Sequence, residues 1–306
     1  MLYIAVAVLC VSCGENSQTP LPAESNLQVK EASKFIHSPG QKYKDYWFNG
    51  TAEISSYTLS QARYGELRDA QAVMVFVTEP FSKEYNTKAD APTTNDPTVL
   101  KLNQTRNFTT GIYPYSMINS SFFPFENGEQ SIKITTSVQE WCGHVYMELQ
   151  NNDQFNVNIN SYFQGESVTN LKLDKVDLED DVWSKIRLQP KLLKMGEFSM
   201  IPSFFYMRLK HVKTKAYPVK AELFYHHDDT SLYTLTYPDL GRKIAITFQT
   251  DFPHLIESWT ETYSSGFGAN AKTMTTTATR SKTIRSDYWS RNANADTVLR
   301  DSLGLK

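Results

Sequence analysis

The chain has 306 residues, 40% of them hydrophobic and 13% aromatic, with a formal net charge of -2. Such a composition excludes a disordered or collagen-like chain and is long enough for one large core or two small ones. Lysine and arginine are scattered along the sequence, which argues against nucleic acid as a partner.

In chain order, the first element is an apolar run from Leu2 to Val11, too short to span a bilayer and suited to the core of a signal peptide. It ends in Val11-Ser12-Cys13-Gly14, which resembles the lipobox of bacterial lipoproteins, although Cys10 stands where leucine is usual. The resemblance implies cleavage before Cys13 and acylation of its thiol. The membrane then becomes a partner through the lipid anchor, at roughly 0.8 kcal/mol per buried methylene. Residues 1–13 are thus expected to be a lipoprotein signal, with Cys142 left as a free thiol and no intramolecular disulfide. Residues 14–41 are polar, carry Pro20, Pro22 and Pro39, and read as a flexible tether. Residues 42–306 contain no second linker and no repeat, and read as a single β-rich domain.

Within that domain the dominant period is two. Phe155, Val157, Ile159, Ser161 and Phe163 alternate with Asn156, Asn158, Asn160 and Tyr162, as on a half-buried strand. Ala72 to Glu79 is apolar on both faces and reads as a covered central strand. Turn-type residues at 226–229 and 238–241 divide Val219 to Phe248 into a three-stranded meander. Two helices are expected. Asp177 to Arg187 has acids early and a base late, and Asn294 to Leu303 is closed by Gly304. The fold class is mainly β: a large curved antiparallel sheet or partly closed barrel with one or two short helices.

The stretch Gln139-Glu-Trp-Cys-Gly-His-Val-Tyr146 stands out chemically. Ile132, Ile134 and Val138 put the apolar face on even positions, whereas Trp141, Val145, Met147 and Leu149 put it on odd ones. A slip of one residue is what a β-bulge produces, and Glu140, Cys142, His144, Tyr146 and Glu148 would then share one face. Cys142, His144 and Glu140 are the parts of a thiol nucleophile, a base and its orienting carboxylate. Side chains two apart on one strand run nearly parallel, however, which favours a structural or ligand-contacting strand over a catalytic one. Trp141 and Tyr146 are the candidate ligand-contacting aromatics. His226-His227-Asp228-Asp229 has metal-ligand composition, but adjacent strand residues face opposite ways, so a solvated turn is favoured and no metal is expected. In Lys272 to Ser286, Arg280 and Lys282 share a face with Met274 and are candidates to cap a barrel mouth or meet an anionic headgroup, although an ordinary exposed strand end is favoured. There is no G-x-S-x-G, P-loop or G-x-G-x-x-G, so no cofactor is expected.

Five segments, Tyr46 to Phe81, Val99 to Met117, Gln139 to Tyr146, Ser161 to Glu166 and Ser265 to Trp289, together resemble a family of bacterial envelope lipoproteins familiar from Bacteroidetes. The resemblance implies a place in the cell envelope, on the outer membrane facing the periplasm or the surface, and transfers no catalytic residue. Members sometimes bear the label septum formation inhibitor Maf. That label implies an α/β nucleotide pyrophosphatase with an early S-P-R-R loop, which this sequence lacks. The expected function is non-enzymatic binding of an apolar or amphipathic envelope component, such as a lipid, in the curved sheet. The alternatives are an envelope hydrolase using Cys142 and His144, or a structural partner of an envelope complex.

Overall fold

The computed structural model describes residues 41–126 and 129–305; the expected signal with Cys13, and the tether up to residue 40, lie outside the described residues. A short helix, α1 (Gln41–Trp47), leads into two long hairpin strands, β1 (Ala52–Arg63) and β2 (Glu66–Ser82). A two-residue strand, β3 (Thr87–Lys88), pairs only with β2. A meander follows: β4 (Thr98–Thr110), β5 (Tyr113–Pro124), β6 (Lys133–Glu140), β7 (Gly143–Asn151), β8 (Phe155–Ser161) and β9 (Val168–Leu173). After β10 (Asp177–Leu178) come helix α2 (Val182–Leu188), β11 (Gly196–Ile201) and helix α3 (Phe204–Lys210). A second meander, β12 (Tyr217–Tyr225), β13 (Thr230–Tyr237), β14 (Arg242–Gln249), β15 (Ile256–Ser265) and β16 (Lys272–Ser286), leads to helix α4 (Val298–Ser302).

These strands form one curved, 16-stranded sheet. The two meanders are joined where β1 pairs antiparallel with β16, and β10–β11 is a parallel pair. The edge strands β9 and β10 are close in sequence but do not pair, so the sheet is curved and not closed. The expected meander from Val219 to Phe248 is present as β12–β13–β14. No helix among the described residues is long and apolar enough to cross a membrane.

The concave face is filled by side chains and by the chain itself. Trp47, Phe76, Trp183, Tyr233 and Trp259 belong to the main core, and every residue of α2 is buried. The expected helix at 177–187 is therefore shorter than its sequence pattern. Asp177 and Leu178 pair with β11, and Glu179, Asp180 and Asp181 form a buried 3-10 turn before α2. Those acids are not solvated partners of a helix dipole. Glu179 takes both nitrogens of Arg242, at 2.5 and 2.6 Å, and the hydroxyl of Tyr237 at 2.7 Å. Asp180 accepts from Asn119 and from the Phe204 amide, each at 3.2 Å. Asp181 accepts from the amide and the hydroxyl of Ser131.

The outer face of β1 and β2 is covered too. Ile54, Val73, Val75 and Val77 pack against Leu303 and Leu305, delivered by α4. This cover is why β2 is apolar on both sides, as its sequence implied. Helix α3 carries no helical signal in its sequence: Phe204-Phe-Tyr-Met has the aromatic content of a strand, yet it packs all round inside the sheet, where burial overrides propensity.

Candidate functional site

The stretch around Cys142 is a hairpin, which corrects the expected bulge. Glu140 pairs with Gly143 and Val138 with Val145, leaving Trp141 and Cys142 as a two-residue turn. Folding a strand back on itself makes each partner pair share a face, so even positions before the turn match odd positions after it. The apparent slip in phase is the reversal of direction. Glu140 consequently lies on the buried inner side, whereas Cys142, His144 and Tyr146 are exposed, and Trp141 is 69% exposed instead of joining the apolar face. Trp141, Cys142, His144 and Tyr146 border one wide hollow on the outer side of β6–β8. Gly143 admits the ring of Tyr162, which would sit 2.7 Å from any β-carbon at that position.

The environment of Cys142 works against nucleophilic chemistry. Hydrogen bonding to Glu140 first, then desolvation and the Glu140 charge, push its thiol pKa up. A nucleophilic cysteine needs the opposite. Glu140 also accepts the Cys142 amide at 2.6 Å, and so serves the turn. In a Cys10→Ser, Cys13→Ser background, Glu140→Gln is expected to speed alkylation of Cys142 several-fold at pH 8. Thiol titration with a chromogenic disulfide measures the rate, and an unchanged rate would show that Glu140 does not control the thiol.

Arg280 and Lys282 do not act together. A bulge in β16 leaves Ser281 without a partner in β1, so Arg280 opposes Tyr57 and Lys282 opposes Ser56. The shift turns the two side chains to opposite faces. Arg280 is held by both oxygens of Glu257 at 2.8 Å on the inner side, and Lys282 is exposed. Five strands separate β16 from β7, so these residues do not join the Cys142 hairpin. The four residues at 226–229 form the β12–β13 turn, with Asp228 accepting from Thr230, and no metal-holding group of three occurs among the described residues.

A different site lies under the sheet. Between the inner face of β7–β9 and the last turn of α3 is a cavity of about 500 Å³. Its apolar wall is Val145, Met147, Ile159, Val168, Leu171 and Met207, and its mouth carries Glu166, Arg208, His211 and Lys213. The alternation of β7 and β8 supplies the wall, because their odd residues point inward.

The polar groups at the mouth are wired together. His211 ends α3 in a left-handed conformation, φ 53°, which carries its ring back toward Arg208. Its Nε2 lies 3.2 Å from Arg208 Nη1, a nitrogen that only donates, so Nε2 accepts and Nδ1–H donates to Glu166. Burial pushes the Glu166 carboxyl up, but hydrogen bonds from His211 and Ser161 and the charge of Arg208 outweigh it and hold it below its usual range. Arg208 stacks 4.3 Å over Phe163 and lies 3.5 Å from Glu140, so the cavity mouth and the Cys142 turn share one charge network. Nothing in the sequence joins Glu166 to His211, 45 positions apart. Only the turn of α3, itself unreadable as a helix, brings them together.

No family model matches the chain, and no curated protein is significantly similar to it. Among solved structures it is similar to the beta-barrel-like protein of domain of unknown function DUF1849 from Brucella abortus. The identity is 9% and the TM-score 0.43, with 77% of this chain and 97% of that chain covered.

Proposed function

We propose that the chain is a bacterial envelope lipoprotein, held to the membrane through Cys13, that binds an amphipathic envelope component without transforming it. The observation that supports this reading is the cavity under β7–β9. Its volume, about 500 Å³, lies in the range of small-molecule sites, and its apolar wall with a polar mouth suits a ligand of the same polarity pattern. An acyl chain would lie along Met147, Ile159 and Leu171, and a polar head would meet Lys213, His211 and Glu166. The lipobox-like end at Cys13 supports the anchor, and the raised thiol of Cys142 weighs against the hydrolase alternative.

The test is displacement of an uncharged fluorescent naphthylamine dye by fatty acids and lysophospholipids. Ile159→Trp puts an indole into the cavity and is expected to weaken dye binding at least tenfold while the thermal transition moves little. Equal binding by wild type and Ile159→Trp would sink the reading.

A further inference from the structure

One end of the curved sheet carries exposed apolar side chains on successive hairpin tips. Strands β15, β1, β4, β6 and β8 run the same way in the sheet, so the turns that follow them emerge at the same end. Leu67 beside the first tip is 53% exposed, Ile112 83%, Trp141 69%, Tyr162 78% and Phe267 63%. Neighbouring tips touch: Trp141 stacks on Tyr113 at 6.3 Å, Tyr162 lies over Gly143, and Phe267 is 6.0 Å from the ring of Tyr64. None of these side chains is needed to fill the core. The cavity lies at the same end, since Gly165 and Glu166, which border it, follow Tyr162 in the same loop.

We propose that this rim docks on the surface of a lipid bilayer containing anionic phospholipid. Three observations favour a bilayer over a protein partner. First, the apolar groups are single side chains at the ends of separate tips, a geometry suited to dipping into a headgroup layer, and tryptophan and tyrosine prefer that depth. Second, Lys213, Lys215 and Lys272 are exposed at the same end, beside Glu66, which pairs with Arg68, and the acids Asp69, Asp239 and Glu166. The opposite end mixes exposed acids, among them Glu84, Glu129, Asp153, Asp228 and Asp251, with exposed Lys83, Lys88, Lys175 and Lys194, and so presents no basic face to anionic lipid. Third, the loop residues Gly165 and Glu166 that border the cavity lie at this same end, so an amphiphile leaving the bilayer has a short path to an apolar wall. Docking deepens the binding role proposed above but does not depend on it.

The test uses the full chain with Cys13→Ser, which removes the acyl anchor. Sedimentation with vesicles of phosphatidylethanolamine and phosphatidylglycerol is expected to bring it down, and brominated acyl chains are expected to quench Trp141, read as the difference from Trp141→Phe. Ile112→Asp with Phe267→Asp is expected to lower vesicle affinity at least tenfold. Tyr85→Asp, exposed at the opposite end, is expected to leave it unchanged. Vesicle binding that survives the double substitution, or falls as much with Tyr85→Asp, would overturn the proposal. So would a rim-dependent dimer in sedimentation velocity without vesicle binding. Dye binding in vesicle-free solution separates the two readings. Dye bound without vesicle docking overturns the rim alone, and docking without dye binding overturns the cavity alone.

Discussion

Arg242→Met is expected to destabilise the protein by about 3–5 kcal/mol, the usual cost of removing one partner from a buried ionic network. Arg242 is 2% exposed and sits between Glu179 and Glu261, which are 1% and 3% exposed. It donates to Glu179 at 2.5 and 2.6 Å and to Glu261 at 2.8 Å. Burial alone would push Glu261 up, but Arg242 and then Arg106 reverse that and hold it below its usual range. Among the described residues, removing Arg242 leaves Glu179 with the Tyr237 hydroxyl and Glu261 with the more distant Arg106, 3.4 Å away. Urea unfolding measures the loss. A compensating triple substitution, Glu179→Gln, Arg242→Met and Glu261→Gln, is expected to recover a large part of it. A loss below about 1 kcal/mol, the scale of an exposed pair, would show that the network does not hold the 3-10 turn in place.

The second large effect concerns pH. Burial, reinforced by the charge of Glu179, raises Asp180 to about 7 despite hydrogen bonds from Ser203, Phe204 and Asn119. Burial likewise raises Asp181 to about 6, against the pull of Lys185 and Ser131. Both folded values exceed that of an unfolded aspartate, so the folded state binds more protons. The stabilisation is fully present below the unfolded pKa, near 4, and is lost as pH rises through 6 to 7. Glu53 and Glu261 have the opposite sign. Burial raises Glu53, but Arg187 outweighs it, so both carboxyls end below their usual range and lose stabilisation as pH falls through it. Thermal stability is therefore expected to peak near pH 5 and to fall toward pH 8, by an amount on the order of a few kcal/mol. Asp180→Asn is expected to flatten the alkaline side most and to leave the acid side alone. Melting curves of both proteins from pH 4 to 8.5 measure it, and equal slopes above pH 5 would contradict the assignment.

Much of the sheet was legible because most of its strands expose one face to water. Phe155 to Ser161 and Arg242 to Gln249 alternate cleanly, and their turns carry the residues that turns require. What fills the sheet was not legible. Phe204 to Lys210 and the acids at 179–181 are buried on every side, so no period marks their face, and ionic partners such as Arg242 are tens of residues away. The Cys142 stretch misled for a related reason. A two-residue hairpin without glycine or asparagine at its turn leaves the same parity change as a bulge. At Ser281 a true bulge left none, because threonine and serine fill both faces of β16. The cavity mouth combines both problems, joining a loop acid to the end of an unrecognised helix.

The most direct measurement of the proposed binding role is native mass spectrometry of the full chain purified from bacterial cells without added lipid, paired with Ile159→Trp prepared identically. Wild type is expected to carry a noncovalent amphiphile beyond any acyl modification of Cys13, and Ile159→Trp to have lost it. Ligand-free wild type, or the same adduct on both proteins, would contradict a carrier role for the cavity.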